Sequence, residues 1–534
     1  MLRKSYLFCF FLIQLVVGFP QVEIKEPNLW YKAIRTENIE VLNGLIANQP
    51  EAINGFLDEK QKVCPLIFAI EKGKENIVDL LLLKGANPNR IINGDKPLNL
   101  AIRRLQYRSV RSLLDAGADP NAVDEDEIYP LSVSTRALSL RMTKMLVEGG
   151  ASLLIPDKKG RVYSDKVSRI DAPQLSNYLE SMENRQRKLK TLPSMTDGPY
   201  IMTDSSSIVA FSLESDSIKG TARKIYHRVN NNILNCNSQK NLFIGDDHST
   251  VTKIVNLNSF DKTIVVGDVH GQYSTLIHLL KSATVIDDSL NWSFDNNCLV
   301  FVGDILDRGD QVTECLWLIH RLGLQSNRVG GKVIYLMGNH EELVLLGDNS
   351  YVNEKYCHLL NYFGLKITDV FALNTFFGDW LRKLPVAVTI GNTLITHAGI
   401  SREMAQMKMT VKQIDSILFS FFNSTAHQPN PLESLILMDE GPLWTRQYFS
   451  EFSSKEPLDS STIRGILGKL NAKTMIIGHT EVSTIDPIFE KQVIPINVPF
   501  NSAFKSGELL LIEKDSAFYK IKYNGEKELL FIRN

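Results

Sequence analysis

Twice between residues 263 and 309 a short apolar run, rich in β-branched residues, ends abruptly in Gly-Asp. The first reads Thr263-Ile-Val-Val-Gly-Asp-Val-His-Gly and the second Cys298-Leu-Val-Phe-Val-Gly-Asp-Ile-Leu-Asp-Arg-Gly. A run without polar alternation reads as a strand buried on both faces of a parallel sheet, and ligand-binding residues of such sheets collect at the carboxyl ends of the strands. The two runs therefore bring Asp268, His270, Asp304, Asp307 and Arg308 to one rim. Three potential metal ligands, a further carboxylate and an anion-binding guanidinium read as half of a two-metal phosphoester-hydrolysing site.

The pattern continues. Apolar strands alternate with helical stretches at residues 263–266, 299–302, 332–337, 386–396 and 474–477, which argues for α/β layers. Each strand leads into a candidate ligand: Asp268, Asp304, Asn339, His397 and His479. The steps between them are 36, 35, 58 and 82 residues. The first two suit one crossover each, and the longer two leave room for an inserted helical segment. A single Gly-Asp or strand-end histidine is an ordinary turn residue, but packing gives no reason for all five to recur in register.

Upstream, residues 28–183 repeat. Cys64-Pro-Leu-Ile-Phe-Ala, Lys96-Pro-Leu-Asn-Leu-Ala and Tyr129-Pro-Leu-Ser-Val-Ser place prolines at intervals of 32 and 33. Gly85-Ala-Asn-Pro-Asn, Gly117-Ala-Asp-Pro-Asn and Gly150-Ala-Ser recur at the same intervals. Proline opening a helix and glycine closing the next follow from backbone geometry. The unit resembles the ankyrin repeat, with a weaker N-terminal copy from Leu29 to Asn54, and implies a stack offering a protein-binding surface. A spacer with no partner is the alternative.

The stretches Gly267-Asp-Val-His-Gly, Gly303-Asp-Ile-Leu-Asp-Arg-Gly, Gly338-Asn-His-Glu, Thr396-His-Ala-Gly and Gly478-His-Thr resemble, in content and order, the phosphoprotein phosphatase family of metallophosphoesterases. The resemblance covers roughly residues 262–515. It implies a layered α/β/β/α domain following the helical ankyrin solenoid. It also implies two divalent metal ions, with Asp268 and His270 on the first, Asp304 bridging both, and Asn339, His397 and His479 on the second. The mixed oxygen and nitrogen set suits Mn, Fe or Zn, and the pair activates a water for in-line attack on phosphorus. His340 is implied as the acid that protonates the leaving oxygen, oriented and charged by Asp307. Arg308 and Arg446, the latter in Gly441-Pro-Leu-Trp-Thr-Arg, are implied as phosphate ligands. Glu341 is expected to support a loop or helix start instead of binding metal.

Thr396-His-Ala-Gly departs from the Val-His-Gly-Gly of eukaryotic Ser/Thr phosphatases, and their C-terminal Ser-Ala-Pro-Asn-Tyr-Cys is missing. Both features look closer to the bacterial-type, Shewanella-like branch. Val493-Ile-Pro-Ile-Asn-Val-Pro stands where those relatives carry Ile-Asp-Thr-Gly, which puts a loop beside the site in question. The expected activity is hydrolysis of phosphomonoesters, above all phosphorylated protein side chains, with the ankyrin repeats binding partner or substrate. Two other readings are a dinucleoside polyphosphate hydrolase and an ankyrin interaction protein with an inactive phosphatase fold. The second would carry a lost ligand or acid, and every motif residue is present.

At 534 residues, with 44% hydrophobic and 22% charged, the chain has a globular composition long enough for several domains. A net charge of −1 gives no global basic footprint for nucleic acid. Arg3 and Lys4 precede an apolar run over residues 6–19 that resembles a secretory signal and is short for a bilayer span. An exported protein, periplasmic or extracellular, is expected, with no membrane span after signal removal. An uncleaved anchor and a buried N-terminal helix are the alternatives. The cysteines show no C-x-x-C spacing and read as buried small hydrophobes. The expected organisation is signal 1–20, ankyrin repeats 28–183, linker 184–200, an unassigned lead-in 201–261, catalytic domain 262–520 and tail 521–534. His248 is expected in a surface loop, and His227, His278, His320, His358 and His427 carry no assigned role.

Overall fold

A computed structural model describes residues 24–58, 63–91, 96–156, 161–203, 208–230, 233–235, 242–243, 256–407, 409–424, 429–453 and 456–533. The expected signal, His248 and His427 lie outside these residues. The chain divides into two compact units between Asn184 and Arg185.

The first unit is a stack of helix pairs: Pro27–Thr36 with Ile39–Asn48, Pro65–Glu71 with Glu75–Leu83, Pro97–Arg103 with Tyr107–Asp115, and Pro130–Arg136 with Leu140–Glu148. Each first helix starts on its proline, whose fixed φ and missing N–H cost nothing in the first turn. Neither helix of a pair can bury its apolar stripe alone. Ile70, Ile77, Leu81, Ala101, Ile102, Val110 and Leu113 are all fully buried in the stack. The asparagines that end the G-A-x-P-N motifs clasp the next repeat. Asn89 donates to Gly117 O at 2.8 Å and accepts from Asp119 N at 2.8 Å, and Asn121 does the same with Gly150 O at 2.9 Å and Ser152 N at 2.7 Å. The motif is thus an inter-repeat staple as well as a helix stop.

The described residues of the second unit form three sheets. Strands β1 (Thr196–Thr203), β2 (Ile208–Asp216), β3 (Thr221–Asn230), β4 (Ile233–Asn235) and β5 (Leu242–Phe243) form an antiparallel meander. After β6 (Asn256–Leu257) come β7 (Lys262–Val266), β8 (Cys298–Phe301), β9 (Lys332–Tyr335), β10 (Ala387–Ile390), β11 (Thr393–Thr396), β12 (Thr474–Ile477), β13 (Val493–Pro495), β14 (Glu508–Glu513), β15 (Ala517–Lys522) and β16 (Lys527–Ile532). They make a six-stranded sheet in the order β16-β15-β14-β7-β8-β9 and a five-stranded sheet in the order β13-β12-β11-β10-β6. Alternate residues of each strand face opposite ways. Val265, Val300, Ile334, Val388, Ile395 and Ile476 meet in the layer between the two sheets. Ile264, Phe301, Tyr335, Leu394 and Ile477 face outward into the core shared with the helices. The observed architecture is an α/β unit with mixed sheets, as the alternation of strands and helices implies.

Several segments differ from expectation. Residues 386–396 are not one strand but an antiparallel hairpin, because Gly391, at φ 57°, turns the chain with Asn392 between β10 and β11. The expected linker 184–200 opens at the boundary between the two units; its basic run ends the helix Pro173–Leu189, and β1 already starts at Thr196. The Gly198-Pro199 pair lies in a bulge of β1 between Asp197 and Tyr200. The lead-in contributes most of the meander, whose Phe211 and Leu213 enter the main core. Residues 521–534 are no tail either, since β16 pairs with β15 at the edge of the six-stranded sheet. Cys64, Cys298 and Cys315 are buried thiols. No helix among the described residues is long and apolar enough to cross a membrane.

Candidate active site

The parallel strands β7, β8 and β9 of one sheet and β11 and β12 of the other each pass their next residues to one cleft. The backbone there is unusual. His270, Asp304, Asp307, Arg308 and His479 all sit at positive φ, between 47° and 67°. Each such residue costs about 1–3 kcal/mol, which persists only where the surroundings over-determine it. Part of that constraint is close backbone packing: a Cβ on Gly338 would lie 2.2 Å from Asp304 Oδ1, and one on Gly303 2.6 Å from Gly338 Cα. The glycines that precede the acidic and amide residues are there because nothing larger fits.

Asp304 stands at the centre, 2% exposed. Its Oδ2 faces His270 Nε2 at 3.7 Å and His340 Nε2 at 3.9 Å, while Oδ1 faces His397 Nε2 at 3.5 Å and accepts from His340 N at 3.0 Å. Two groups that could hold a cation share this carboxylate: His270, Asp304 and His340 on one side, and Asp304, His397 and His479 on the other. Asn339 joins the second group, its Oδ1 lying 3.0 Å from His397 Nε2 and 2.9 Å from His479 Nδ1. Asp268 lies in neither histidine group. Its Oδ1 accepts from His479 N at 3.3 Å and its Oδ2 from Asn497 Nδ2 at 2.6 Å.

The donor set fits cations. His397 Nδ1–H donates to Val302 O at 2.9 Å and His270 Nδ1–H to Leu306 O at 2.9 Å. Each bond fixes the tautomer and turns the Nε2 lone pair into the cleft. The lone pair of His397 then points at an amide oxygen and a carboxylate oxygen, an array of acceptors with no donor between them. The Nε2 atoms of His270 and His479 are buried with no hydrogen-bond partner. Burial pushes His270 down to about 4, His397 down, and His479 well down, so all three are neutral imidazoles ready to ligate. Burial, then the nearby charge of Asp304, pushes Asp268 well up. Asp304 itself is held below the usual carboxylate range: burial opposes its ionisation, but the positive charge that His397, His340, His270 and His479 take up at low pH outweighs it.

His340 is differently placed. Its Nδ1–H donates to Asp307 Oδ2 at 2.7 Å. Burial disfavours the imidazolium, yet this bond and the charges of Asp304 and Asp307 raise His340 overall. Arg308 Nη2 approaches His340 Nε2 at 3.5 Å and its Nη1 pairs with Glu481 Oε1 at 3.4 Å. Arg446 is half-buried and donates to Thr480 Oγ1 at 3.3 Å. All ten residues picked out in the sequence therefore converge on one cleft. Glu341 does brace the loop. Its carboxylate accepts from the N–H groups of Asp304, Ile305, Leu306 and Gly338 and from Tyr335 Oη, while burial and Asp304 push it up to about 7.

Three supporting residues escape the sequence motifs: Asn497 on Asp268, Glu342 accepting from Trp444 Nε1 at 2.8 Å, and Glu481 on Arg308. Only Asn497 leaves a signal, as the polar residue ending the apolar run of β13. It also answers the missing Ile-Asp-Thr-Gly: an amide, which donates to Asp268, closes that side of the site.

Residues 262–482 match the calcineurin-like phosphoesterase family, and residues 29–124 match ankyrin repeats. The chain joins ankyrin repeats to a calcineurin-like metallophosphoesterase domain. A Shewanella-like protein phosphatase 1 from Plasmodium berghei (strain Anka) is 28% identical over 247 residues, which span 45% of this chain and 68% of the relative. A Shewanella-like protein phosphatase 2 from Arabidopsis thaliana is 32% identical over 120 residues, 22% of this chain and 31% of the relative. The crystal structure of a cold-active protein-tyrosine phosphatase from a psychrophilic Shewanella is 29% identical with a TM-score of 0.57, covering 63% of this chain and 99% of that one. The metallophosphoesterase domain is a hydrolase domain acting on phosphoric esters, and its cleft holds the histidine and aspartate cluster such chemistry uses.

Proposed function

We propose that the protein hydrolyses phosphomonoesters on protein side chains, with two divalent ions of Mn, Fe or Zn, and that the ankyrin stack binds the partner or substrate. The observation that carries this reading is the placement of Asp304, one carboxylate oxygen turned to each histidine group. A carboxylate suits that position because its two oxygens can serve two cations. Asp268 and His270 would hold one ion, Asn339, His397 and His479 the other, and Asp304 would serve both. Divalent cations bound there supply the charge that neutralises phosphoryl oxygens and acidifies a water into a nucleophile at neutral pH.

The side chains of the chain account for the rest. Arg308 and Arg446 take the phosphoryl oxygens, Arg308 through its planar fork. His340 delivers the proton from Nε2 to the leaving oxygen, while Asp307 holds Nδ1–H and keeps the ring charged. Asp307 and Arg308 both sit on strained backbone, at φ 67° and 61°. The apolar stretch after Arg3 and Lys4 supports export to the periplasm or the extracellular space.

The test is a rate profile of metal-reconstituted protein on phosphoserine, phosphothreonine and phosphotyrosine peptides and on diadenosine tetraphosphate. The expected result is turnover of at least one phosphopeptide well above the dinucleotide. Preference for the dinucleotide would replace the protein substrate with a polyphosphate.

A further inference from the structure

The loop after β12 does more than supply His479. Its next two residues each hold one of the arginines: Thr480 Oγ1 accepts from Arg446 at 3.3 Å and Glu481 Oε1 pairs with Arg308 at 3.4 Å. Burial pushes Arg446 down, and the carboxylates of Asp268, Asp304 and Glu481 oppose that by favouring its charged form. One acidic side chain thus stands beside both groups that face the phosphoryl oxygens.

Its position differs from that of the other acids. Asp268, Asp304, Asp307 and Glu341 are between 0% and 4% exposed and look into the cluster. The Glu481 side chain is 60% exposed and that of Arg308 47%, so this ion pair lies at the mouth. Charge in that place acts less on the reacting phosphorus than on whatever flanks the phosphoryl group outside. A second anionic group there meets a carboxylate, and a lysine or arginine finds a partner.

We propose that Glu481 is a specificity-determining residue that favours phosphopeptides with a cationic side chain next to the phosphorylated residue and disfavours substrates with a second anionic group there. The proposal rests on the protein phosphatase reading and narrows its substrate class. Solvent screens a mouth charge, so the discrimination is a few-fold, on the order of five-fold at low salt, and shrinks at high ionic strength.

Two phosphopeptides, identical except for Lys or Glu on either side of the phosphorylated residue, test it. Each is assayed as a substrate and as a competitive inhibitor of p-nitrophenyl phosphate hydrolysis, with the wild type, Glu481→Gln and Glu481→Lys in the full-length protein. The wild type is expected to prefer the Lys peptide about five-fold in both kcat/KM and KI. Glu481→Gln brings the ratio near one, and Glu481→Lys inverts it. A ratio that stays the same in all three proteins overturns the proposal. So does an equal loss on both peptides with the ratio kept, which leaves Glu481 as a brace for Arg308 alone. Inhibition reads binding without turnover, so the two readings fail separately. Peptides that inhibit with the expected ratio yet are not hydrolysed sustain charge selection and remove the protein phosphatase reading. Peptides that neither inhibit nor turn over remove both.

Discussion

Asp307 shows how a single side chain sets a proton's availability. It accepts from His340 Nδ1 at 2.7 Å and raises an imidazole that burial alone would lower. The acid must carry its proton in the reacting state, so turnover falls as pH rises through the pKa of His340. Replacing Asp307 by Asn removes the raising charge and keeps the shape. The descending limb of the kcat profile for Asp307→Asn is therefore expected at lower pH than in the wild type, measured with p-nitrophenyl phosphate across pH. An unmoved limb would take the acid's role from His340. At this scale the sequence was most legible where a residue follows directly on an apolar strand and glycine. Asp268, Asp304, Asn339 and His479 announce themselves that way, and His397 follows its strand without the glycine. Asn497 and Glu481 act through partners far along the chain, and no local pattern marks a side chain whose purpose is to hold another one.

At the scale of elements, tight contacts between strand ends position the site. Gly338 has room for hydrogen alone against Asp304. Gly338→Ala should lose nearly all activity and destabilise the fold by about 1–3 kcal/mol, the usual cost of overpacking, read from kcat and a thermal melt. The helix Asn339–Leu346 that follows buries Glu342, pushed up to about 8 by burial despite its bond from Trp444. A carboxyl raised above its unfolded value binds a proton in the native state that the unfolded chain has released. Its contribution is complete below the unfolded value and is lost as pH rises toward 8. Glu342→Gln keeps an acceptor for Trp444 without that penalty. It should melt like the wild type near pH 4 and be more stable than the wild type at pH 9, by on the order of 5 kcal/mol. Element types were largely readable, since strand and helix periods differ. The hairpin at Gly391, the bulge at Gly198-Pro199 and the strand in the presumed tail were not. In each case the deciding fact was a pairing partner, and pairing is a property of the sheet that the local sequence does not carry.

At the scale of the whole molecule, two units with unrelated architectures share one chain. The ankyrin stack carries its own buried core and its own inter-repeat staples, and the metallophosphoesterase domain carries the entire cleft. Linking a binding module to a catalytic one raises the effective concentration of a bound substrate without touching the chemistry. Removal of residues 24–172 should leave turnover of p-nitrophenyl phosphate near the full-length rate while raising KM for a protein substrate that the stack binds. Equal loss on both substrates would deny the stack a targeting role. The central claim is that two cations share Asp304, and metal stoichiometry tests it most directly. Stripped protein reconstituted with Mn, dialysed and analysed by elemental mass spectrometry alongside p-nitrophenyl phosphate turnover should hold two ions per chain and be active. Asp304→Asn should hold fewer ions and lose at least roughly a hundredfold in rate. An Asp304→Asn protein that keeps both ions and the wild-type rate would contradict the account.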